Sequence, residues 1–144
     1  KKFDLITSYS VFGQLLNSVE VLKDLIARLN KNGILIIADI NAEDYLLNYG
    51  KKKYKDEIFF RQSYQNYYSE NGLKIMANKN GLTHINTRYI QRYSYSESKK
   101  YLNKKNFINK FSKAIHKNLI ENYFQTHFEL NGISDYMIVT FKKK

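Results

Sequence analysis

The sequence predicts an α/β fold, a mostly parallel sheet with flanking helices, and three observations carry that reading. Ile34-Leu35-Ile36-Ile37-Ala38 is a near-unbroken apolar run of strand length, the pattern of a strand covered on both faces. Val19, Leu22, Ile26 and Leu29 precede it at helical spacing, and the short β-capable run Phe3-Asp4-Leu5-Ile6-Thr7 comes before them. Strand, helix and strand at this distance make a βαβ unit, whose crossover is expected to be right-handed.

The remaining elements follow in order. Ser18 is placed to cap the first helix and Asn32-Gly33 to stop it, after which Asp39 ends the second strand. Ala42 to Asn48 has room for a helical turn, while Lys51 to Tyr68 is basic and aromatic without a clear period. Leu73 to Lys79 reads as a short helix closed by Asn80-Gly81, and Leu82 to Tyr93 as a loosely alternating strand. Phe107, Phe111, Ile115, Leu119 and Tyr123, flanked by Ile108, Ile120 and Phe124, form the longest helical stripe, and Tyr136 to Phe141 reads as a closing strand. Phe107, Phe111 and Tyr123 on that stripe are most simply core. With no repeat and no linker, residues 1–144 are expected to form a single domain with an irregular insert at about 42–70.

Composition narrows the function. Cysteine is absent, which excludes a disulfide scaffold, Cys-ligated zinc, iron–sulfur sites and thiol catalysis. No apolar run approaches the roughly 20 residues of a membrane-spanning helix, and no signal peptide opens the sequence, so a cytoplasmic protein without a membrane span is expected. The 24 Lys+Arg against 13 Asp+Glu leave +11. A nucleic-acid partner is one reading of that surplus. Scattered lysines in a chain rich in Lys, Asn, Ile and Tyr favour a compositional bias instead. Only Lys51 to Lys55 and Lys142 to Lys144 are dense runs. The chain begins with Lys1 and runs directly into a strand, as a piece of a longer protein would.

Ligands of open α/β sheets sit outside the carboxyl ends of the strands. That rule selects Thr7, Ser8, Tyr9 and Ser10 after the first strand, and Asp39, Ile40 and Asn41 after the second. Ser8 and Ser10 suit a turn leading into the helix equally well, and an Asp after a buried strand often caps the next turn. Asp4 reads as a structural residue at the strand start. His84, His116 and His127 show no metal spacing, so no metal is expected and solvated positions are the simpler reading. Tyr64, Tyr67 and Tyr68 with Arg61, and Tyr89, Tyr93 and Tyr95 with Arg88 and Arg92, mix aromatics with cations. Such mixtures stack bases or sugars and bind phosphate, or else form a partly buried wall with snorkelling cations. Arg61 to Tyr68 has the position of a substrate lid.

Several segments together resemble one family. Phe3-Asp4-Leu5-Ile6, then Val11-Phe12, Val21-Leu22-Lys23-Asp24-Leu25 and Leu29 through Ile37 are similar to the fourth strand, following helix and fifth strand of class I S-adenosylmethionine-dependent methyltransferases. Leu73-Lys74-Ile75-Met76-Ala77 leading to Gly81-Leu82 is similar to the helix before their sixth strand, and Gly132 through Val139 to their last strand. Tyr89-Ile90-Gln91-Arg92-Tyr93 resembles a phrase of methyltransferases from surface-polysaccharide clusters.

The resemblance implies a Rossmann-like sheet lacking its first strands, the carboxyl-terminal half of the enzyme. It implies S-adenosylmethionine as cofactor, bound at Ser8, Tyr9 and Ser10. Asp39 would serve as the catalytic carboxylate, with Asn41, Tyr67, Arg88 and Arg92 around a small-molecule or glycan hydroxyl. The family's glycine-rich loop and the acidic residue that follows its second strand are absent, and Tyr9 to Leu15 stands where the family often carries a His. Two other readings stand beside the enzyme. One is a basic nucleic-acid-binding α/β module, which strong salt dependence of binding would favour. The other is a non-catalytic remnant whose open sheet edge is covered by another copy or an upstream segment.

Overall fold

A computed structural model of the chain describes residues 1–60, 63–102 and 117–144. Its elements are β1 (Phe3–Tyr9), α1 (Ser18–Arg28), β2 (Leu29–Ile40), α2 (Tyr45–Tyr49), α3 (Lys52–Tyr54), α4 (Glu70–Lys79), β3 (Leu82–Ile90), α5 (Tyr95–Ser98), α6 (Lys117–Leu130) and β4 (Tyr136–Lys143). A 3-10 turn spans Phe12–Gln14 and a π-helical turn Lys55–Phe59. They divide into two compact units, one of residues 1–42, 62–88 and 137–144, the other of residues 43–61 and 89–136.

The first unit carries the sheet, in the order β1-β2-β4-β3. β1 and β2 pair in parallel, as the βαβ reading requires, with Ile6 opposite Leu35 and Ser8 opposite Ile37. β1 lies at an edge, with Leu5 54% exposed, whereas β2 and β4 are interior and bury Leu35, Ile37, Met137, Val139 and Phe141. α1 packs on β2 and buries Leu22 and Ile26, leaving Val19 exposed. Each such burial is worth about 1.5–3 kcal/mol. Asp4 accepts a hydrogen bond from the Asn30 side-chain amide at 2.7 Å, tying the start of β1 to β2.

Two expectations about α1 need correction. The helix ends at Arg28, four residues before Asn32-Gly33, because that dipeptide belongs to β2. Asn32 is left-handed (φ 64°), and the pairing jumps from Phe3–Leu29 to Leu5–Ile34, so the dipeptide forms an irregularity in the ladder. Cations meet the open helix carbonyls instead: Lys2 donates to Ala27 and Lys143 to Ile26 and Leu29, at 2.7–2.9 Å. Ser18 is the first helical residue, preceded by Asn17, and no side chain caps the start. α4 matches its expected span more closely, capped by Ser69 accepting from Gly72 N–H and released through left-handed Gly81.

Among the described residues the second unit is mainly helical. The described part of the long stripe is α6, but its buried residues are Phe124 and Phe128, whereas Leu119 and Tyr123 are exposed. The two Phe rings lie one turn apart at 4.3 Å and pack on Tyr95 and Tyr45. Wholly apolar rings take the interior, while Tyr123 stacks on His127 at the surface. Phe107, Ile108, Phe111, Ile115 and His116 lie outside the described residues, as does Arg61. Among the described residues no helix is long and apolar enough to cross a membrane.

Candidate functional site

The carboxyl ends of β1 and β2 lie side by side in the first unit, since Tyr9 pairs with Ala38. The chain leaves β1 through Ser10, which holds a left-handed φ of 52° and donates its N–H to the Ala38 carbonyl at 2.8 Å. A positive φ at a non-glycine residue is a costly backbone state, held here by the ladder beneath it. Gln14 donates its side-chain amide to Ser10 O at 2.8 Å and closes the loop on itself.

Asp39 anchors that loop from β2. Its Oδ2 accepts the Gly13 N–H at 2.7 Å, and its Oδ1 accepts the N–H of Ile40 at 2.8 Å, with the residue 2% exposed. A third segment closes around the same glycine. The Gly13 carbonyl accepts both Gln65 N–H and Asn66 N–H at 2.9 Å, and Asn66 donates to Leu15 O. A Cβ on Gly13 would fall 2.8 Å from the Tyr64 ring, so glycine is required by close approach. Asn41 is fully buried and bridges to Tyr68, whose hydroxyl donates to Ser18 Oγ at 2.5 Å and whose ring lies 5.4 Å from Phe12.

Beside this loop a cavity of about 240 Å³ is lined by Thr7, Ser8, Tyr9, Val11, Phe12 and Leu15, among others. The structure therefore gathers Ser8, Tyr9, Ser10, Asp39 and Asn41 at the ends of the first two strands. Tyr67 belongs to the neighbouring 64–68 segment and stacks on Tyr64 at 5.6 Å. Arg88 is exposed on β3, at the opposite edge of the sheet from β1. Arg92 belongs to the second unit.

In that unit Arg92 is bound to Asp135, Nε to Oδ2 at 2.7 Å and backbone N–H to Oδ1 at 2.8 Å, and its guanidinium stacks 4.3 Å over Tyr136. Burial raises the Asp135 carboxyl above its ordinary range, although Arg92 pulls it back. Burial works against the Arg92 charge, and the attraction of Asp135 outweighs it and raises its pKa.

Asp44, which sequence reading missed, is fully buried, caps α2 by accepting from Leu46 N–H, and receives the Tyr54 hydroxyl. Burial pushes its carboxyl up to about 7, and burial with the Asp44 charge raises Tyr54 further still. The only sequence signal was an Asp ahead of a helical turn, which announces a cap and says nothing of burial. Among the described residues no group of three or more His, Asp or Glu side chains is placed to hold a metal. His84 instead shares a hydrogen bond with Thr87 at 2.9 Å.

The sequence matches the family model described as a methyltransferase domain over residues 1–87, and no curated protein matches it. Solved structures match over nearly the whole chain at low identity. An S-adenosylmethionine-dependent methyltransferase of Archaeoglobus fulgidus is similar at 14% identity with TM-score 0.58, covering 99% of this chain and 60% of that one. A SAM-dependent methyltransferase of Thermotoga maritima gives 15%, 0.56, 100% and 57%. The CcbJ methyltransferase of Streptomyces caelestis gives 10%, 0.54, 100% and 62%. The chain thus spans about three-fifths of the length of these structures, and they show the same Rossmann-like α/β fold. With its first 87 residues matched to the family model, the chain belongs to the methyltransferase-domain family.

Proposed function

We infer that the protein transfers a methyl group from S-adenosylmethionine to a hydroxyl of a small-molecule or glycan acceptor. The observation that carries this reading is the loop after β1, fixed by Asp39 through Gly13 beside a cavity at the carboxyl end of the strand. Cavities for whole drug-sized ligands run about 300–1,000 Å³. About 240 Å³ therefore suits one end of the cofactor; Ser8 and Tyr9 line the cavity and are proposed to meet its methionine end, with Ser10 proposed beside them in the loop that follows.

When bound, the cofactor would supply a methyl group on a positively charged sulfur and leave as the neutral thioether S-adenosylhomocysteine, the acceptor hydroxyl giving up its proton to solvent. The chain's own contribution is alignment and exclusion of water. Ser8 and Ser10 offer hydroxyls, and Tyr9 offers a wall. Asp39 was expected to act as the catalytic carboxylate; with both oxygens on backbone N–H groups, the role proposed for it is positioning, holding Ser10 to Gln14 in shape. Asn41 and Tyr67 are proposed on the acceptor side; Arg88, on the far edge strand β3, and Arg92, whose charge is taken up by Asp135, are given no part there.

Calorimetric titration with S-adenosylhomocysteine tests the reading. Saturable one-site binding that weakens in Ser10→Pro supports it, whereas binding indifferent to that substitution contradicts the assigned site.

A further inference from the structure

Tyr68 holds three parts of the first unit at once. Its backbone is fixed just past β2: Asn41 and Tyr68 form a parallel bridge, and the Tyr68 carbonyl accepts the Ala42 N–H at 2.9 Å. Its ring lies 5.4 Å from the Phe12 ring, in the turn that follows β1. Its hydroxyl donates to Ser18 Oγ at 2.5 Å, at the first residue of α1.

Both side-chain partners lead to the strand-end cavity. Phe12 is wholly buried and forms part of its wall. Val21 and Leu25 line it from α1, and Ser18, Val21 and Leu25 stand at i, i+3 and i+7, on one face of that helix. No side chain caps the start of α1, and the Tyr68 hydroxyl holds its first residue from the side. Tyr68 is not itself among the residues lining the cavity, so whatever it does to a ligand there passes through Phe12 and α1.

We propose that Tyr68 is a positioning residue for the cofactor, setting through Phe12 and Ser18 how turn and helix stand around the methionine end. The proposal rests on the assignment of that cavity to the cofactor. A tyrosine suits the task because one rigid side chain offers an apolar face to the first wall and a hydroxyl to the second. Phenylalanine in its place keeps the ring on Phe12 and gives up only the bond to Ser18. Asp39 and Tyr68 then divide the work: Asp39 fixes the backbone of the loop at Gly13, and Tyr68 fixes its apolar wall against the helix.

The test is amide-resolved NMR titration of the full chain with S-adenosylhomocysteine, in wild type, Tyr68→Phe, Ser18→Ala, the double variant and Ile26→Val, under conditions where urea curves show each fully folded. Tyr68→Phe is expected to shift the amides of Val21 and Leu25 before ligand is added. It is expected to weaken the ligand about threefold, a share of the worth of one neutral hydrogen bond. Ser18→Ala removes the same bond from the other side and carries the test should Tyr68→Phe not fold. The double variant is expected to lose no more than the larger single loss. Ile26→Val loosens the buried face of α1 and is expected to lower the urea midpoint with affinity unchanged, the behaviour of a merely structural residue. The proposal is overturned if Tyr68→Phe binds as wild type does, if Ile26→Val weakens the ligand as much, or if the two single losses add. A wild type that takes up no S-adenosylhomocysteine overturns the cofactor reading and this proposal with it, whereas equal binding by wild type and Tyr68→Phe overturns the proposal alone.

Discussion

Asp39 on β2 accepts the backbone N–H of Gly13 at 2.7 Å, across 26 residues of sequence, from a position 2% exposed. One carboxylate thereby fixes where the chain goes after β1, and the strand-end cavity is lined on one side by that loop. Hydrogen bonds to a buried charge are worth about 1.5–3 kcal/mol. Asp39→Asn presents a weaker acceptor, or an amide donor, to the Gly13 N–H. It is expected to cost about 2 kcal/mol in urea unfolding and to weaken S-adenosylhomocysteine about tenfold. Loss of stability with affinity unchanged would separate the loop from the cofactor.

Gly13→Ala tests the other side of the same lock. The new Cβ would lie 2.8 Å from the Tyr64 ring and 2.9 Å from the Asn66 carbonyl, backbone that cannot swing aside. Overpacking of this kind costs about 1–3 kcal/mol. Denaturant midpoints report it, and a midpoint equal to wild type would mean that the 64–66 segment does not close on Gly13.

Asp44 gives the second unit a pH dependence with a definite sign. Burial, opposed by the hydrogen bond from Tyr54, raises its carboxyl from 3.8 to about 7. Between those values the folded chain keeps a proton that the unfolded chain has released. Stability contributed by Asp44 therefore falls as pH rises from about 4 through about 7 and is level above. At about 1.4 kcal/mol per pKa unit the fall is bounded near 4 kcal/mol. Chemical denaturation at about pH 5 and about pH 8 should show a smaller difference in Asp44→Asn than in wild type. Equal differences would contradict it.

Arg92→Met keeps apolar packing on Tyr136 and removes the charge facing Asp135, whose side chain is 2% exposed. An uncompensated buried carboxylate costs about 3 kcal/mol. The cost should shrink toward about pH 5, because Asp135, already raised by burial, protonates more readily once Arg92 is gone. In a double-mutant cycle, Asp135→Asn should recover part of the loss. A pH-independent cost would point to packing instead.

The βαβ start was legible because Ile34 to Ala38 and the Leu22–Ile26 spacing are dictated by burial on β2, which no competing signal disturbs. Asn32-Gly33 misled for a physical reason: a left-handed residue before glycine ends a helix or breaks a strand ladder equally well, and here it did the second. The strand-end rule alone puts Thr7 to Ser10 and Asp39 to Asn41 at the carboxyl ends of the first two strands, and β1 and β2 do end there. Asp44, Tyr54 and Asp135 were not legible, because their importance lies in burial and in partners up to 43 residues apart. No local pattern encodes that. Tyr123 failed in the opposite way, since an aromatic at helical spacing looks like core until Phe124 and Phe128 claim the interior face.

The central claim is that the cofactor is held at the end of β1. Its most direct test is an amide-resolved titration of S-adenosylhomocysteine into this chain and, in parallel, into the full-length product of its gene. Perturbations centred on Ser8, Tyr9, Ser10 and Gly13, and moved together to about tenfold higher ligand concentration in Asp39→Asn, are the predicted result. Saturable binding that leaves those four amides unmoved, or no binding to either protein, would contradict the account.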